Sequence, residues 1–175
     1  MRNRESSFKQ QLVCLLPRIW RFGISLTGST EVCNDLVQAT CERALSRYHQ
    51  WRPGTRLDHW VFKIMHSIWI NELRSQAIRR GTGFVDHENY RLESTLPDQE
   101  SSLFNEQIIN ATLALPEAQR CALLLVYVEG YSYKEAAELL DVPIGTVMSR
   151  LSRGRLGLAE KLQLQIKSRR SLESV

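Results

Sequence analysis

Ser132-Tyr133-Lys134-Glu135-Ala136-Ala137-Glu138-Leu139-Leu140-Asp141, then Val142-Pro143-Ile144-Gly145, then Thr146-Val147-Met148-Ser149-Arg150-Leu151-Ser152-Arg153-Gly154-Arg155 is the stretch that decides the fold. Two helices crossing around a tight turn need a small residue at the crossing, here Ala136 or Ala137, and an apolar anchor early in the second helix, here Val147. Ser132 and Glu135 have the spacing of a capping box, and Thr146 is placed to cap or open the second helix. The expectation is a helix-turn-helix. Its second helix would turn Met148, Ser149, Ser152 and Arg153 toward a major groove, with Arg150 and Arg155 on phosphate or base edges. The alternative is a plain hairpin with solvated arginines. The turn, the anchor and three arginines on one short helix favour DNA binding.

Upstream of this motif, Ser101 to Leu115 reads as an amphipathic helix with Leu103, Ile108, Ile109, Thr112 and Leu113 to bury. Pro116 starts the next helix, which carries Cys121, Leu124, Leu125 and Val128 and stops at Gly130. Between Gly81 and Pro97 the hydrophobic period disappears, and Asp86, Glu88, Glu93, Asp98 and Glu100 make the stretch acidic. A flexible linker is expected there, joining two small helical domains. Charge follows the same division. Residues 1–85 hold 13 Lys/Arg against 6 Asp/Glu, residues 86–115 hold 1 against 6, and residues 116–175 hold 9 against 7. Two basic lobes around an acidic tether suit two nucleic-acid contacts, because basic surfaces gain from counterion release.

The first lobe reads as helices throughout. Leu12, Leu15, Leu16, Ile19, Trp20 and Phe22 recur at helical spacing, with Pro17 opening a second short helix or kinking one long helix. Glu31 to Tyr48 is expected to bury Val32, Leu36, Ala39 and Leu45. After the turn Arg52-Pro53-Gly54-Thr55, a helix from Leu57 to about Arg80 is expected to bury Leu57, Trp60, Val61, Ile64, Ile68 and Leu73. Its opposite stripe holds His59, Lys63, His66, Ser67, Ile70, Asn71 and Arg74. With Trp51, Phe62 and Trp69 nearby, this is the basic-plus-aromatic makeup of a surface for single-stranded bases. Trp60 is expected in the core, and Trp51, in a loop beside Arg52 and Pro53, outside it.

Several functional classes are excluded by what the 175 residues contain. The longest apolar run, Ala122 to Val128, falls well short of the roughly 20 residues of a membrane-spanning helix. No signal peptide is credible, so no membrane insertion and a cytoplasmic location are expected. Cys14, Cys33, Cys41 and Cys121 form no CxxC pair, and no metal site or disulfide framework is expected. No P-loop, HExxH, paired-carboxylate or Ser/His/Asp spacing is found, so the chain reads as non-enzymatic and without a cofactor.

Two separated motifs resemble the extracytoplasmic-function group of bacterial RNA polymerase sigma factors. One is Asp35-Leu36-Val37-Gln38-Ala39-Thr40 with Trp51-Arg52-Pro53-Gly54 and Trp60-Val61-Phe62-Lys63-Ile64 through Asn71-Glu72-Leu73-Arg74, similar to the family's domain 2. The other runs from Leu115-Pro116 through Glu129-Gly130-Tyr131-Ser132 to Pro143-Ile144-Gly145-Thr146-Val147-Met148-Ser149-Arg150-Leu151, similar to domain 4. The resemblance implies domain 2 at 1–82, the acidic linker at 83–100, domain 4 at 101–165 and a polar tail at 166–175. Domain 2 would dock on the clamp helices of core RNA polymerase through Asp35, Leu36, Val37 and Gln38. It would read and melt a −10 promoter element through Trp51, Arg52, Lys63, His66, Ser67, Ile70, Asn71 and Arg74. Domain 4 would meet the polymerase flap and read a −35 element through Thr146, Met148, Ser149, Arg150, Ser152, Arg153 and Arg155. An anti-sigma factor is a further implied partner. The chain departs from the family's habit at Ser67, where Asn is common, and at Met148, where a basic residue is common.

Two rival readings are a dimeric helix-turn-helix regulator on palindromic DNA, and a metal or redox sensor built on Cys33 with Cys41 or His59 with His66. Symmetric half-sites without polymerase would mark the first, and bound metal the second.

Overall fold

The structure is a computed structural model that describes residues 2–79 and 103–172, with side chains described for 4–79 and 108–163. The acidic linker expected at 83–100 lies outside the described residues. Every regular element described is helical: α1 (Arg2–Thr27), α2 (Thr30–Ser46), a 3₁₀ turn (Tyr48–Gln50), α3 (Leu57–Arg79), α4 (Leu103–Leu113), α5 (Glu117–Leu123) running into a π-helical turn (Leu124–Val128), α6 (Tyr133–Leu140) and α7 (Ile144–Leu172). Two compact units divide them, α1–α3 in the first and α4, α5, α7 with most of α6 in the second.

In the first unit the three helices pack pairwise against one another. The inner face of α1 is Phe8, Leu12, Leu15, Ile19, Phe22 and Leu26, alternating steps of four and three. That spacing keeps one stripe on a neighbouring helix over about five turns. One helix passes straight through Pro17, whose side chain is exposed. The hydrogen bond lost to Val13 therefore falls on the wet side, where water can replace it.

At Gly23 all three helices meet. A Cβ there would stand 2.8 Å from Cys33 Sγ and 3.5 Å from Met65 Cε, so the close crossing requires glycine. This crossing sets the phase of α2, which buries Cys33, Leu36, Thr40 and Ala44. Val32 and Leu45, expected inside, are exposed and Ala39 is half-buried.

The phase of α3 also differs from expectation. Its buried row is Leu57, Val61, Met65, Trp69, Leu73 and Ala77, every fourth residue, flanked by Asp58 and Phe62. Trp60, Ile64 and Ile68 are half-buried beside it. Phe62 stacks on Phe22 with centroids 4.8 Å apart. Phe62 and Trp69 are thus core residues and not part of an aromatic nucleic-acid surface.

In the second unit, α5 and α7 pack along a seam of glycines. A Cβ at Gly154 would stand 3.0 Å from Leu123 Cδ1, and one at Gly157 2.9 Å from Leu115 Cδ2. Arg120 is fully buried here and donates from Nη1 to the carbonyls of Leu113 (2.8 Å) and Leu115 (2.7 Å). Those carbonyls belong to the end of α4 and the turn after it, where intrahelical donors run out. Burial lowers the Arg120 pKa from its ordinary value, offset in part by Cys121 and Glu117. In the π turn Glu129 N–H bonds to Leu124 O, five residues back, at 2.9 Å. One extra residue in that turn rotates the chain downstream of it by about 100°. Leu125 is buried while Val128, expected inside, is exposed. Ile109 is likewise exposed and Ile108 half-buried.

Candidate nucleic-acid interface

The helix-turn-helix is built as its sequence demands. Ser132 N–H donates to Glu135 Oε2 at 2.8 Å and Glu135 N–H to Ser132 Oγ at 3.2 Å, a reciprocal box opening α6. Ala136 and Ala137, the small residues expected at the crossing, are buried. Asp141 closes α6 in the left-handed region at φ 54°, a conformation Asp and Asn tolerate better than most residues. Val142 N–H then reaches Ala137 O at 3.1 Å, satisfying a terminal carbonyl of α6.

α7 begins at Ile144, two residues before the expected start, because the Pro143 carbonyl accepts from Thr146 N–H (2.9 Å) and Val147 N–H (3.3 Å). Thr146 therefore sits inside the first turn rather than capping it, and its carbonyl accepts from Ser149 Oγ at 2.9 Å. Val147, Leu151 and Gly154 face inward. Met148, half exposed at 50%, lies outward with Ser152, Arg153 and Arg155. Thr146, Ser149 and Arg150 are half-buried at the margins, and Arg150 Nε is buried without an acceptor among the described residues.

On α3, Lys63, Ser67, Asn71 and Arg74 are exposed and His66 and Ile70 half-buried, all on one side of the helix. Lys63 and Arg74 have no ion pair among the described residues, whereas Arg79 pairs with Glu72 at 2.8 Å. The face is consequently cationic and rich in donors.

The turn ahead of α3 is fastened at both ends. Arg52-Pro53-Gly54-Thr55 has the form of a type II turn, with Gly54 at φ 87° and Thr55 N–H bonded to Arg52 O at 3.2 Å. On its α3 side the buried Asp58 accepts from Arg18 Nη2 (2.7 Å), from Arg56 through Nε and Nη2 (3.2 and 2.8 Å) and from His59 N–H (2.9 Å). On the other side stands Trp51, expected exposed but only 6% exposed, packed against Phe8 at 5.8 Å. Arg4 Nη2 donates to the Trp51 carbonyl at 2.7 Å, and this tie with the Phe8 contact turns the indole inward. Trp51 is therefore no stacking platform on the surface. Between these anchors Arg52, Pro53, Gly54 and Thr55 are exposed. Arg4, Arg18, Arg56 and Asp58 were not singled out from the sequence. Only Asp58 carried a signal, as an acid in the first turn of a helix.

Asp35 and Gln38 lie exposed on α2, Val37 is half-buried, and Gln38 Nε2 bonds to Glu42 Oε1 at 3.0 Å. Leu36, expected on the same contact face, is buried in the three-helix core, since it shares the inward stripe with Cys33 and Thr40. Cys33 is buried, its Sγ 3.5 Å from the Trp20 carbonyl, and desolvation pushes its thiol pKa up to about 12. Among the described residues no group of three or more His, Cys, Asp or Glu is arranged to hold a metal ion, and no helix is long and apolar enough to cross a membrane.

The two units match two known domain families. Residues 12–66 match the family described as the sigma2 domain of PhyR, and residues 105–158 match sigma-70, region 4. The chain is 33% identical over 156 residues to the ECF RNA polymerase sigma factor EcfG of Rhodopseudomonas palustris, covering 89% of this chain and 85% of that one. It is 31% identical over 139 residues to the ECF RNA polymerase sigma-E factor of Escherichia coli, covering 74% and 73%. Among solved structures, the sigma factor RpoE in complex with the anti-sigma factor NepR from Bartonella quintana superposes with a TM-score of 0.75 at 31% identity, over 90% of this chain and 97% of that one.

Proposed function

The chain belongs to the extracytoplasmic-function sigma factors, non-enzymatic proteins that direct transcription initiation by RNA polymerase, and from that membership we propose that it reads a two-part promoter through its two exposed basic faces. Residues 101–165 form the −35 module. Met148, Ser149, Ser152 and Arg153 face the major groove, with Thr146, Arg150 and Arg155 toward the backbone. Residues 1–82 form the −10 module, in which Arg52, Lys63, His66, Ser67, Ile70, Asn71 and Arg74 meet the strand as it opens. Asp35, Val37 and Gln38 form the contact with the polymerase clamp helices, supported from beneath by Leu36. Residues 83–100 join the modules, and residues 166–175 come after them.

The observation that carries the reading is the N-terminal half of α7. It is held inward by Val147, Leu151 and Gly154 and presents Met148, Ser152, Arg153 and Arg155 outward from a boxed α6. A protein that melts DNA without hydrolysing a nucleotide must offset lost stacking by binding the opened strand, a role that suits the cationic face of α3. An anti-sigma factor is the proposed inhibitory partner, supported by the complex in which the similar Bartonella quintana sigma factor was solved.

Transcription with purified core polymerase on a genomic library, reading out start sites, tests the function. The expected result is a set of start sites sharing one −35 and one −10 sequence and absent with core polymerase alone. Start sites identical with and without the protein overturn it.

A further inference from the structure

In the second unit an open cleft of about 420 Å³ lies between the α4–α5 turn and α7, walled by Leu115, Pro116 and Gln119 on one side and by Arg153, Leu156 and Glu160 on the other. Arg153 therefore has two neighbourhoods. It faces outward with the base-reading residues of α7, and it also lines this cleft beside a carboxylate. We infer that the cleft is the seat in which the Arg153 side chain rests when no matching base is present, and that Glu160, by holding it there, is a specificity-determining residue that sets how strongly Arg153 prefers its base pair. The inference rests on the −35 reading proposed above and deepens it with a residue outside the set assigned there.

Register brings the two charges together. Arg153 and Glu160 are separated by one step of three and one of four, so both lie on one stripe of α7, two turns or about 10 Å apart along the axis. The same separation is bridged elsewhere in the protein. On α3, with acid and base in the reverse order, Glu72 and Arg79 meet at 2.8 Å. Helical side chains tilt toward the N-terminus, which carries the Glu160 carboxylate toward Arg153. Leu156 stands between them, 64% exposed, and an arginine stem laid across it takes apolar surface out of water while the guanidinium stays wet. The facing wall adds a neutral acceptor. Gln119 lies against α7, its Oε1 4.0 Å from where a Cβ on Gly157 would stand, and that oxygen can accept a guanidinium N–H. Lys161 also lines the cleft, but as the next residue after Glu160 it lies on a different stripe and does not face it. An exposed ion pair of this kind is worth only a few-fold in an equilibrium, enough to compete with a base contact without abolishing it. With the matching base present, Arg153 leaves the seat to make the contact; with any other base it stays beside Glu160. Discrimination is then the base contact less the seat, so the carboxylate widens promoter tolerance at one base pair.

The test titrates holoenzyme, assembled with core polymerase, onto a promoter duplex from a start site recovered in the transcription experiment and onto its single-base −35 variants. Glu160→Gln removes the charge from an exposed side chain at constant shape, so folding is not at stake, and Arg153→Ala identifies the base pair that Arg153 reads. At that base pair Glu160→Gln is expected to bind the preferred base about two- to fivefold more tightly than the parent does, and the other three as the parent does. In the Arg153→Ala background the same substitution should change nothing, a coupling that a structural or bulk-charge role does not produce. A gain of equal size on every sequence, or one that survives Arg153→Ala, makes Glu160 a general repulsion of phosphate and overturns the seat. No gain at all overturns it too, and in both cases the −35 reading stands. If Arg153→Ala itself keeps the parental preference at every position, the assignment of Arg153 to the −35 element falls and the seat with it.

Discussion

Arg120 shows how one buried charge can decide a turn. Its guanidinium is the donor for two carbonyls that no backbone N–H among the described residues reaches, so Arg120→Met should leave both unpaired at a cost of about 2–4 kcal/mol. Urea unfolding monitored by circular dichroism checks this; an unchanged midpoint would show that water or a shifted helix end replaces the guanidinium. The cysteines should divide by environment. With the Cys33 thiol pushed up to about 12 by burial, hardly any thiolate exists at pH 8, whereas Cys14 is exposed. Iodoacetamide at pH 8 should modify Cys14 in the folded protein and reach Cys33 and Cys121 only after denaturant is added; mass spectrometry of the alkylated peptides gives the order. Composition could not reveal either environment. Arg120 carries no mark in the sequence because its partners at Leu113 and Leu115 are backbone carbonyls, which every residue has, and Trp51 looked like a loop residue because its partners Arg4 and Phe8 lie more than forty residues away.

At the level of elements, helix positions were legible where the pattern had one apolar stripe or a chemically defined end. The Ser132–Glu135 box, Gly130 at positive φ and the small residues of α6 stood where the sequence put them. The phase of α3 was not legible. Leu57, Val61, Met65 and Trp69 form one apolar row and Trp60, Ile64 and Ile68 another beside it, so periodicity allows either to face the core. The choice is made by α1 and α2, which meet α3 at Gly23. The α5–α7 seam was missed for a related reason, since Gly154 and Gly157 read as poor helix formers until Leu123 and Leu115 are seen against them. Gly154→Ala should gain about 1 kcal/mol of helix propensity but lose about 1–3 kcal/mol to overpacking, a net destabilisation. A raised melting temperature would mean that Leu123 yields freely. On the reading helix, Arg153→Ala should relax preference at one base pair at a cost of about 1–3 kcal/mol. Arg150→Ala, beside the buried stripe, should instead weaken all sequences alike and lower the salt slope by about one. Binding of holoenzyme to single-base −35 variants at two salt concentrations separates them, and parental behaviour of both variants would remove this helix as the reader.

For the molecule as a whole, the two DNA faces proposed above belong to separate units, each of which would offer only a few contacts. Engaging both at once costs the freedom between them unless a scaffold sets their spacing. The protein alone should therefore bind promoter duplex weakly, and core polymerase should make binding specific; a nanomolar, sequence-specific footprint without polymerase would contradict this. The length of α7 has mechanical consequences. Its 29 residues extend about 43 Å as one continuous rod, of which the base-reading turns are only the first part. The rod runs unbroken from Met148 and Arg153 to its far end, and between the two it is seated on Leu123 and Leu115 at Gly154 and Gly157. On the reading proposed above, a partner that clasped the rod near Glu160 and Lys161 would hold the same continuous element that carries Arg153, and would reach promoter choice without touching a DNA-facing side chain.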